Sequence, residues 1–190
     1  LKISFPLFYL TFISTSCVFD HSPEPTFNNL QYIAWQHTSI DSGVINMVAA
    51  NRNGKVFADG GVRGLYCSED KGETWQLSAA NYSIANMAFK PNGEIFALTS
   101  CSYETQIIHS NNGGLSWQIL PFAIDCPSSM AFHPSGSIFI GDLGNETSQN
   151  GAIYITEDEF NTLEKTSFPD SLGVFCIIIT NRNDLFAGTT

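Results

Sequence analysis

SEDKGETW, residues 68–75, decides the fold of this chain, because its pattern Ser-x-Asp-x-Gly-x-Thr-Trp returns twice. The second copy is SNNGGLSW at 110–117, and a divergent third copy is TEDEFNTL at 156–163. A carboxylate or amide in the third position can accept hydrogen bonds from the turn's own backbone, and glycine in the fifth position adopts positive φ at little cost. The pattern therefore predicts a tight corner between two strands.

We refer to residues 68–75, 110–117 and 156–163 as the repeat turns and interpret them as structural rather than catalytic. In each turn, a hydroxyl residue and then a large apolar residue open the next strand, where a Trp can bury its ring. The positions that define the pattern are Ser68, Asp70, Gly72, Thr74, Trp75, Ser110, Asn112, Gly114, Ser116, Trp117, Thr156, Asp158 and Thr162.

A second motif lies about twenty residues before each Trp position, at 53–58, 92–97, 135–140 and 183–187. Asn-Gly or Ser-Gly between apolar runs predicts a β-hairpin. The apolar strand ahead of each hairpin carries Met47, Met87, Met130 or Ile177 in one register, which predicts a core layer of flexible side chains rather than metal ligands. Each repeat thus contains two hairpins, or four strands.

The composition favours an all-β protein, since strand-forming Phe, Ile, Val, Tyr and Thr are abundant and helical periodicity is scarce. The 190 residues include eight Lys and Arg and carry a formal net charge of −10. The eight basic residues are spread singly along the chain and form no basic stripe, so nucleic acid is not expected as a partner.

The N-terminal 17 residues are typical of an export signal. An apolar run at 3–13 is too short to span a bilayer and ends in Ser14-Thr15-Ser16-Cys17. Small residues before a Cys resemble a bacterial lipobox, which predicts a lipid on Cys17 and a membrane anchor, although Ser14 leaves ordinary signal cleavage open. Residues 18–29 are rich in Pro, Glu, Asn and Ser and are expected to form a flexible tether.

Repeats of 40 to 46 residues with four strands have the size of a β-propeller blade. The repeat turns resemble the Asp box, or BNR repeat, of sialidase-like propellers and of bacterial exported proteins that carry such repeats. The resemblance covers about residues 30–190 and implies antiparallel four-stranded blades at about 44–79, 84–122 and 128–168, with a half blade at 173–190. It also places the boxes on the rim, away from the face where such enzymes bind sugar.

Trp35, Trp75 and Trp117 are each followed by Gln and lie 40 and 42 residues apart, yet no repeat turn precedes Trp35. An isolated outer strand before the first complete repeat is what a ring needs when its N-terminus closes it. The expected fold is therefore an incomplete propeller of about three and a half blades with an N-terminal closing strand. We expect the remaining blades beyond Thr190, because an open stack exposes two apolar faces.

No catalytic residue, metal site or cofactor is predicted. The arginine set and the Phe-Arg-Ile-Pro motif that a sialidase would show are absent, and the four His lack ligand spacing. A glycoside hydrolase with paired carboxylates remains an alternative, because the connections after the second and fourth strands share one face. The candidate acids on that face, mostly expected to be solvated, are Asp59, Asp125, Asp142 and Asp170.

The cysteines lead to one structural prediction. Cys101 follows a second strand and Cys126 precedes a first strand, so both belong to connections at the same end of a blade. In an oxidising compartment they are expected to form a disulfide, the alternative being two free loop thiols. Cys67 and Cys176 fall inside strands and are expected to be buried free thiols.

Two functional hypotheses follow. The first is an exported, membrane-anchored propeller without enzymatic activity that binds a protein or glycan partner through its loops, in the cell envelope, periplasm or extracellular space of a bacterium. The second is part of a propeller glycoside hydrolase. The fold alone does not decide between them.

Overall fold

The computed structural model describes residues 2–3, 35–36, 38–40, 43–101, 105–144, 151–166 and 172–190. Apart from residues 2–3, the predicted signal lies outside these residues, as do Cys17, the predicted tether and Asp170. Strands and one short 3-10 helix at Gly61–Arg63 make up the described secondary structure. The prediction of an all-β chain is confirmed.

The strands follow the four-strand repeat. They are β1 (Lys2–Ile3), β2 (Trp35–Gln36), β3 (Met47–Ala50), β4 (Val56–Asp59), β5 (Leu65–Ser68), β6 (Gln76–Ala79), β7 (Ile84–Phe89), β8 (Ile95–Thr99), β9 (Ile107–Ser110), β10 (Gln118–Ile119), β11 (Pro127–Phe132), β12 (Ile138–Asp142), β13 (Ala152–Thr156), β14 (Glu164–Lys165), β15 (Val174–Ile179) and β16 (Leu185–Thr189).

Each repeat forms one antiparallel sheet in which the strands pair in chain order. Blade 1 is β3-β4-β5-β6, blade 2 is β7-β8-β9-β10, blade 3 is β11-β12-β13-β14, and the half blade is β15-β16. The chain is therefore an incomplete β-propeller.

Met87, Met130 and Ile177 each pair with the third residue of the second strand, at Ala97, Ile140 and Ala187. In blade 1 this position belongs to Val48, which pairs with Ala58, while Met47 pairs with Asp59 one position further on, so the prediction that Met47 shares the register is wrong.

The core lies between neighbouring sheets. Met87, Met130 and Ile177 are buried in one register, at 7% exposure or less. Met47 is also buried, at 5% exposure, but lies one residue out of that register. One apolar cluster joins blades 1 and 2, and a second joins blades 2 and 3 through residues such as Phe96, Met130 and Phe160. Because both faces of a sheet need cover, each blade depends on its neighbours.

The two ends of the stack lack that cover. Val48 in the first strand of blade 1 is 61% exposed, whereas Met87, its equivalent in blade 2 by strand register, is 2% exposed. In the half blade, Phe186 is 56% exposed, whereas its equivalents Phe57 and Phe96 are 0% and 3% exposed. These are the exposed apolar faces expected of an incomplete ring.

Strand β2 stands apart from the blades. Trp35–Gln36 pairs with Lys2–Ile3 and belongs to none of the three four-stranded sheets, whose outer strands are β6, β10 and β14. This agrees with the prediction that Trp35 lies in a strand outside the complete blades. Within the described residues, no helix has the length and apolar character needed to cross a membrane.

Candidate binding face

The strand order creates two unlike faces. The turn face holds the hairpins between the first and second strands and the repeat turns between the third and fourth. The loop face holds the described residues of the connections from the second strand to the third, at 60–64, 100–101, 105–106, 143–144 and 151. It also holds those from the fourth strand to the next blade, at 80–83, 120–126, 166 and 172–173.

The turn face repeats one geometry. In all four hairpins the first and fifth residues of the turn are joined by a backbone hydrogen bond of 2.8 to 3.0 Å, and the fourth residue donates to the first. That fourth residue has positive φ in each case, as Gly54, Gly93, Gly136 or Asn183. Such uniform, short turns leave little surface that differs from blade to blade.

The loop face varies along the chain. Its connections after the second strand lengthen from five residues in blade 1 to seven and nine in blades 2 and 3. A disulfide joins Cys101 to Cys126, with their Cα atoms 5.0 Å apart, and so ties two of these connections together. Closing a loop across a sequence separation of 25 contributes about 3 kcal/mol by restricting the unfolded chain.

Two loop-face carboxylates are buried at strand ends, and the expectation that they are solvated is wrong. Asp59 is fully buried: its Oδ2 accepts from Gly61 N at 3.1 Å and Asn46 Nδ2 at 3.2 Å, and its Oδ1 accepts from Ile84 N at 3.0 Å. Ile84 begins the inner strand of blade 2. A buried carboxylate needs such donors, and Asp59 thereby fixes the start of the neighbouring blade.

Asp142 has the same place at the end of β12 and is 2% exposed. Its Oδ1 accepts from Cys126 N at 2.9 Å and from Gly144 N at 3.0 Å, so it anchors the connection that also carries the disulfide. Burial raises the pKa of Asp142, the two backbone hydrogen bonds oppose that rise, and nearby Asp125 adds to it. Burial, followed by Asp142 and Asp125, also raises the pKa of Tyr154.

Asp125 differs from these two acids because it is exposed, next to the bridged Cys126. Thr105 Oγ1 donates to its backbone carbonyl at 3.1 Å, which joins the two connections a second time. The loop face thus brings Asp125 and Asp142 near each other, but one is buried and bonded to backbone while the other faces solvent.

The repeat turns share one hydrogen-bonding frame. In the first turn, Ser68 Oγ donates to Asp70 Oδ1 at 2.8 Å and accepts from Gly72 N at 2.7 Å, while Thr74 N and Oγ1 donate to the Asp70 carboxylate. Hydrogen bonds from the Thr74 side chain and backbone lower the pKa of Asp70 to about 2. Gly72 has φ of +88°. These residues serve the turn itself.

The other two turns reproduce the frame with different residues. Ser110, Asn112 and Ser116 form it in blade 2, and Thr156, Asp158 and Thr162 form it in blade 3. Backbone and side-chain hydrogen bonds from Thr162 lower the pKa of Asp158. Trp75 and Trp117, expected to be buried, are half-buried.

A contact that the sequence reading missed holds each Trp-bearing turn to the segment before it. Trp117 Nε1 donates to Ser78 Oγ at 3.1 Å, and Trp75 Nε1 donates to Thr38 Oγ1. Ser78 and Thr38 each lie three residues after a Trp, so the shared Trp-Gln-x-hydroxyl pattern was the signal that could have revealed the contact.

Cys67 is buried and free, and burial raises the pKa of its thiol, whereas free Cys176 is half-buried rather than buried as expected. Across the described ranges, no three His, Cys, Asp or Glu side chains gather closely enough to hold a metal ion. His109 instead stacks on Phe96 with ring centroids 4.4 Å apart. Its surroundings are those of a structural residue.

No protein-family model and no curated protein matches the chain. Solved structures do match. An ancestral GH74 enzyme gives a TM-score of 0.61 at 23% identity over 76% of this chain and 22% of its own. YCF48 bound to D1 peptide gives 0.58 at 19% identity over 83% of this chain and 51% of its own.

PorZ, a bacterial surface component of the type-IX secretion system of Porphyromonas gingivalis, gives a TM-score of 0.56 at 16% identity over 85% of this chain and 27% of its own. The chain thus spans between about a fifth and about half of the length of these three proteins. At such identities the similarity shows the fold, an incomplete β-propeller, and leaves the function to the site.

Proposed function

We propose that this chain is an exported propeller that binds a protein or glycan partner through its loop face. The observation that carries the proposal is the contrast between the faces: the turn face repeats one short geometry, while the loop face changes in length from blade to blade and is braced by a disulfide. Binding residues commonly lie on variable loops that a rigid scaffold positions. PorZ, a surface component, and peptide-bound YCF48 have related folds.

The second candidate function is glycoside hydrolysis, and one observation favours it. The pKa of Asp142 is raised beside Asp125, as a general acid next to a second carboxylate requires. However, Asp142 is 2% exposed, and its Oδ1 already accepts two backbone hydrogen bonds. An acid held in this way supports the scaffold and has little access to a sugar, so binding is the better-supported function.

We also propose that residues 1–17 direct export, that Cys17 carries a lipid anchor, and that the repeat turns are Asp boxes of the BNR, sialidase-like kind. The disulfide supports an oxidising compartment in the bacterial envelope or outside the cell. Mass spectrometry of the mature protein from a bacterial host tests this: loss of residues 1–16 with diacylglycerol on Cys17 is expected. An intact Leu1 would contradict export, and a cleaved but unmodified Cys17 would contradict lipidation.

Site-specific photocrosslinking tests the binding face. Val62, 89% exposed on the loop face, and Leu115, 73% exposed on the turn face, form a matched pair for a photoreactive amino acid. Crosslinks to a cellular protein or glycan are expected from position 62 and not from 115. Crosslinks mainly from 115 would contradict the loop face as the binding surface. A GH74 xyloglucanase from Xanthomonas campestris also has a related fold, so release of new reducing ends from xyloglucan, abolished by Asp142→Asn, would favour the hydrolase.

A further inference from the structure

Two hydroxyl groups hold repeat turns from outside their own blades. Ser78, in the outer strand of blade 1, donates to the Gly114 carbonyl of blade 2 at 2.5 Å and accepts from Trp117 Nε1 at 3.1 Å. Thr38 donates to the Gly72 carbonyl at 2.8 Å and accepts from Trp75 Nε1. The same two atoms of each turn are therefore satisfied by one hydroxyl from the preceding segment.

At the third occurrence of this position, three residues after a Trp, an aliphatic residue stands in place of the hydroxyl residue. Leu120 lies three residues after Trp117, as Ser78 lies three residues after Trp75. The turn that follows has Leu163 in place of Trp, so it presents no indole N–H. Leu120 and Leu163 both pack on the apolar cluster that contains Phe160. The residue in this position thus matches the chemistry of the next turn.

We propose that this position, occupied by Thr38, Ser78 and Leu120, determines which repeat turn an outer strand can dock on. A hydroxyl there selects a turn with Trp, and an aliphatic side chain selects a turn with Leu. A mismatch in one direction leaves a partly buried indole N–H and a carbonyl unpaired. In the other direction it removes the apolar packing of Leu120 and offers a hydroxyl that has no indole N–H to accept from. Either mismatch is unfavourable, because buried polar groups need hydrogen bonds and the loss of apolar packing costs free energy.

The rule assigns a role to Trp35–Gln36, Thr38 and Ser39, which lie outside the complete blades. Thr38 makes the two contacts of an outer-strand hydroxyl, and Ser39 Oγ adds a hydrogen bond to the Glu73 carbonyl at 2.6 Å. Trp35–Gln36 therefore stands beside blade 1 where β6 stands beside blade 2. This pairing of outer strands with repeat turns does not depend on the proposed ligand binding.

Indole N–H signals in a ¹H–¹⁵N spectrum of the full chain test the contact, since the three Trp give three separate signals. Thr38→Val is expected to shift the Trp75 signal and speed its hydrogen exchange about tenfold while leaving Trp117 unchanged. Ser78→Ala is expected to do the reverse. Thr166→Val is the matched control, because Thr166 has the same spacing but donates to Ile153 O of its own blade at 2.8 Å.

An unchanged Trp75 signal in Thr38→Val, or equal changes of both Trp signals in either variant, would overturn the contact. A double-mutant cycle then tests selection: Leu120→Ser and Leu163→Trp should each lower the melting temperature, and the double variant should recover part of the loss. Strictly additive losses would overturn the rule. If Leu120 only contributes to general packing, the two losses should add. Partial recovery in the double variant therefore distinguishes selection of the turn from general packing.

Discussion

The second and third repeat turns share a hydrogen-bonding frame but are packed in opposite ways. In the second turn, Gly114 has φ of +85° and lies so close to Phe57 that a Cβ would stand 2.8 Å from its ring. In the third turn, Phe160 takes the same position with φ of +66° and is itself buried against Phe96 and Phe122.

The difference shows how a repeat survives the loss of its consensus residues. The third turn lacks both the glycine and the Trp of the second, yet Thr156, Asp158 and Thr162 still close the turn. The aromatic ring has moved from the strand into the turn, where it fills the interface with blade 2. The backbone frame is therefore constant, and the packing residue is exchangeable as long as one turn position supplies it.

Phe160→Ala gives the largest expected effect, because the third turn depends on this ring for its contact with blade 2. Removing a buried Phe costs about 3 to 5 kcal/mol of the free energy of unfolding, measured by urea denaturation. Phe160→Gly is the comparison variant: it loses the same ring but relieves the positive φ, so it should be no less stable than the alanine variant. A loss below about 1 kcal/mol would show that Phe160 does not replace the Trp.

Gly114→Ala should cost about 2 to 4 kcal/mol, since the new methyl group meets Phe57 and the backbone stays at positive φ. Gly93→Ala separates the two causes, because Gly93 has φ of +95° with nothing within 4 Å of the added Cβ. It should lose about 1 to 2 kcal/mol by the same urea assay. Equal losses in both variants would contradict the close contact between Gly114 and Phe57.

The smallest expected effect is on how the free energy of unfolding depends on acid pH. It differs between the two turns that carry an Asp and the one that carries Asn112. The pKa of Asp70 is lowered to about 2 and that of Asp158 is lowered as well, whereas Asn112 does not titrate. A lowered pKa means that the ionised carboxylate stabilises the fold above about pH 4 and that this stability is lost as the pH falls toward 2. Asp70→Asn should reduce the acid-dependent loss of stability in that window.

The converse variant, Asn112→Asp, should increase the acid-dependent loss by giving the second turn a titrating carboxylate. Urea denaturation at pH 7 and at pH 3 measures both variants. Identical pH dependence in the wild type and both variants would contradict the assignment of the lowered pKa to the frame.

The sequence predicted the blades because their signals are local. A Gly at positive φ, an Asn-Gly hairpin and an apolar strand are each encoded within a few residues, so the repeat turns and the strand order could be predicted directly. The common register of the Met residues was wrong for Met47, because a constant spacing between Met residues does not fix the strand pairing. The Cys101–Cys126 disulfide could be predicted because alternate strand directions place both connections at the same end of the blades. Asp59 and Asp142 were misjudged because their donors, Ile84 N and Cys126 N, are distant in sequence.

The packing exchange in the third turn was not foreseen for the same reason. In the sequence alone, Phe160 is only a substitution of the turn glycine. Its packing role is evident from its ring contacts with Phe96 and Phe122. The contact of Thr38 with Trp75 spans a separation of 37 residues, and its signal is a single hydroxyl in a short pattern. Contacts between blades depend on stacking, which a pattern within one repeat does not specify.

All three repeat turns keep one hydrogen-bonding frame regardless of their packing residues. The amides of Gly72, Gly114 and Phe160 test it most directly, since each donates to the hydroxyl that opens its turn at 2.7, 2.8 and 3.0 Å. Residue-resolved hydrogen exchange at neutral pH should find all three protected to a similar degree. Exchange of the Phe160 amide at the rate of an unstructured peptide, with Gly72 and Gly114 protected, would contradict the claim.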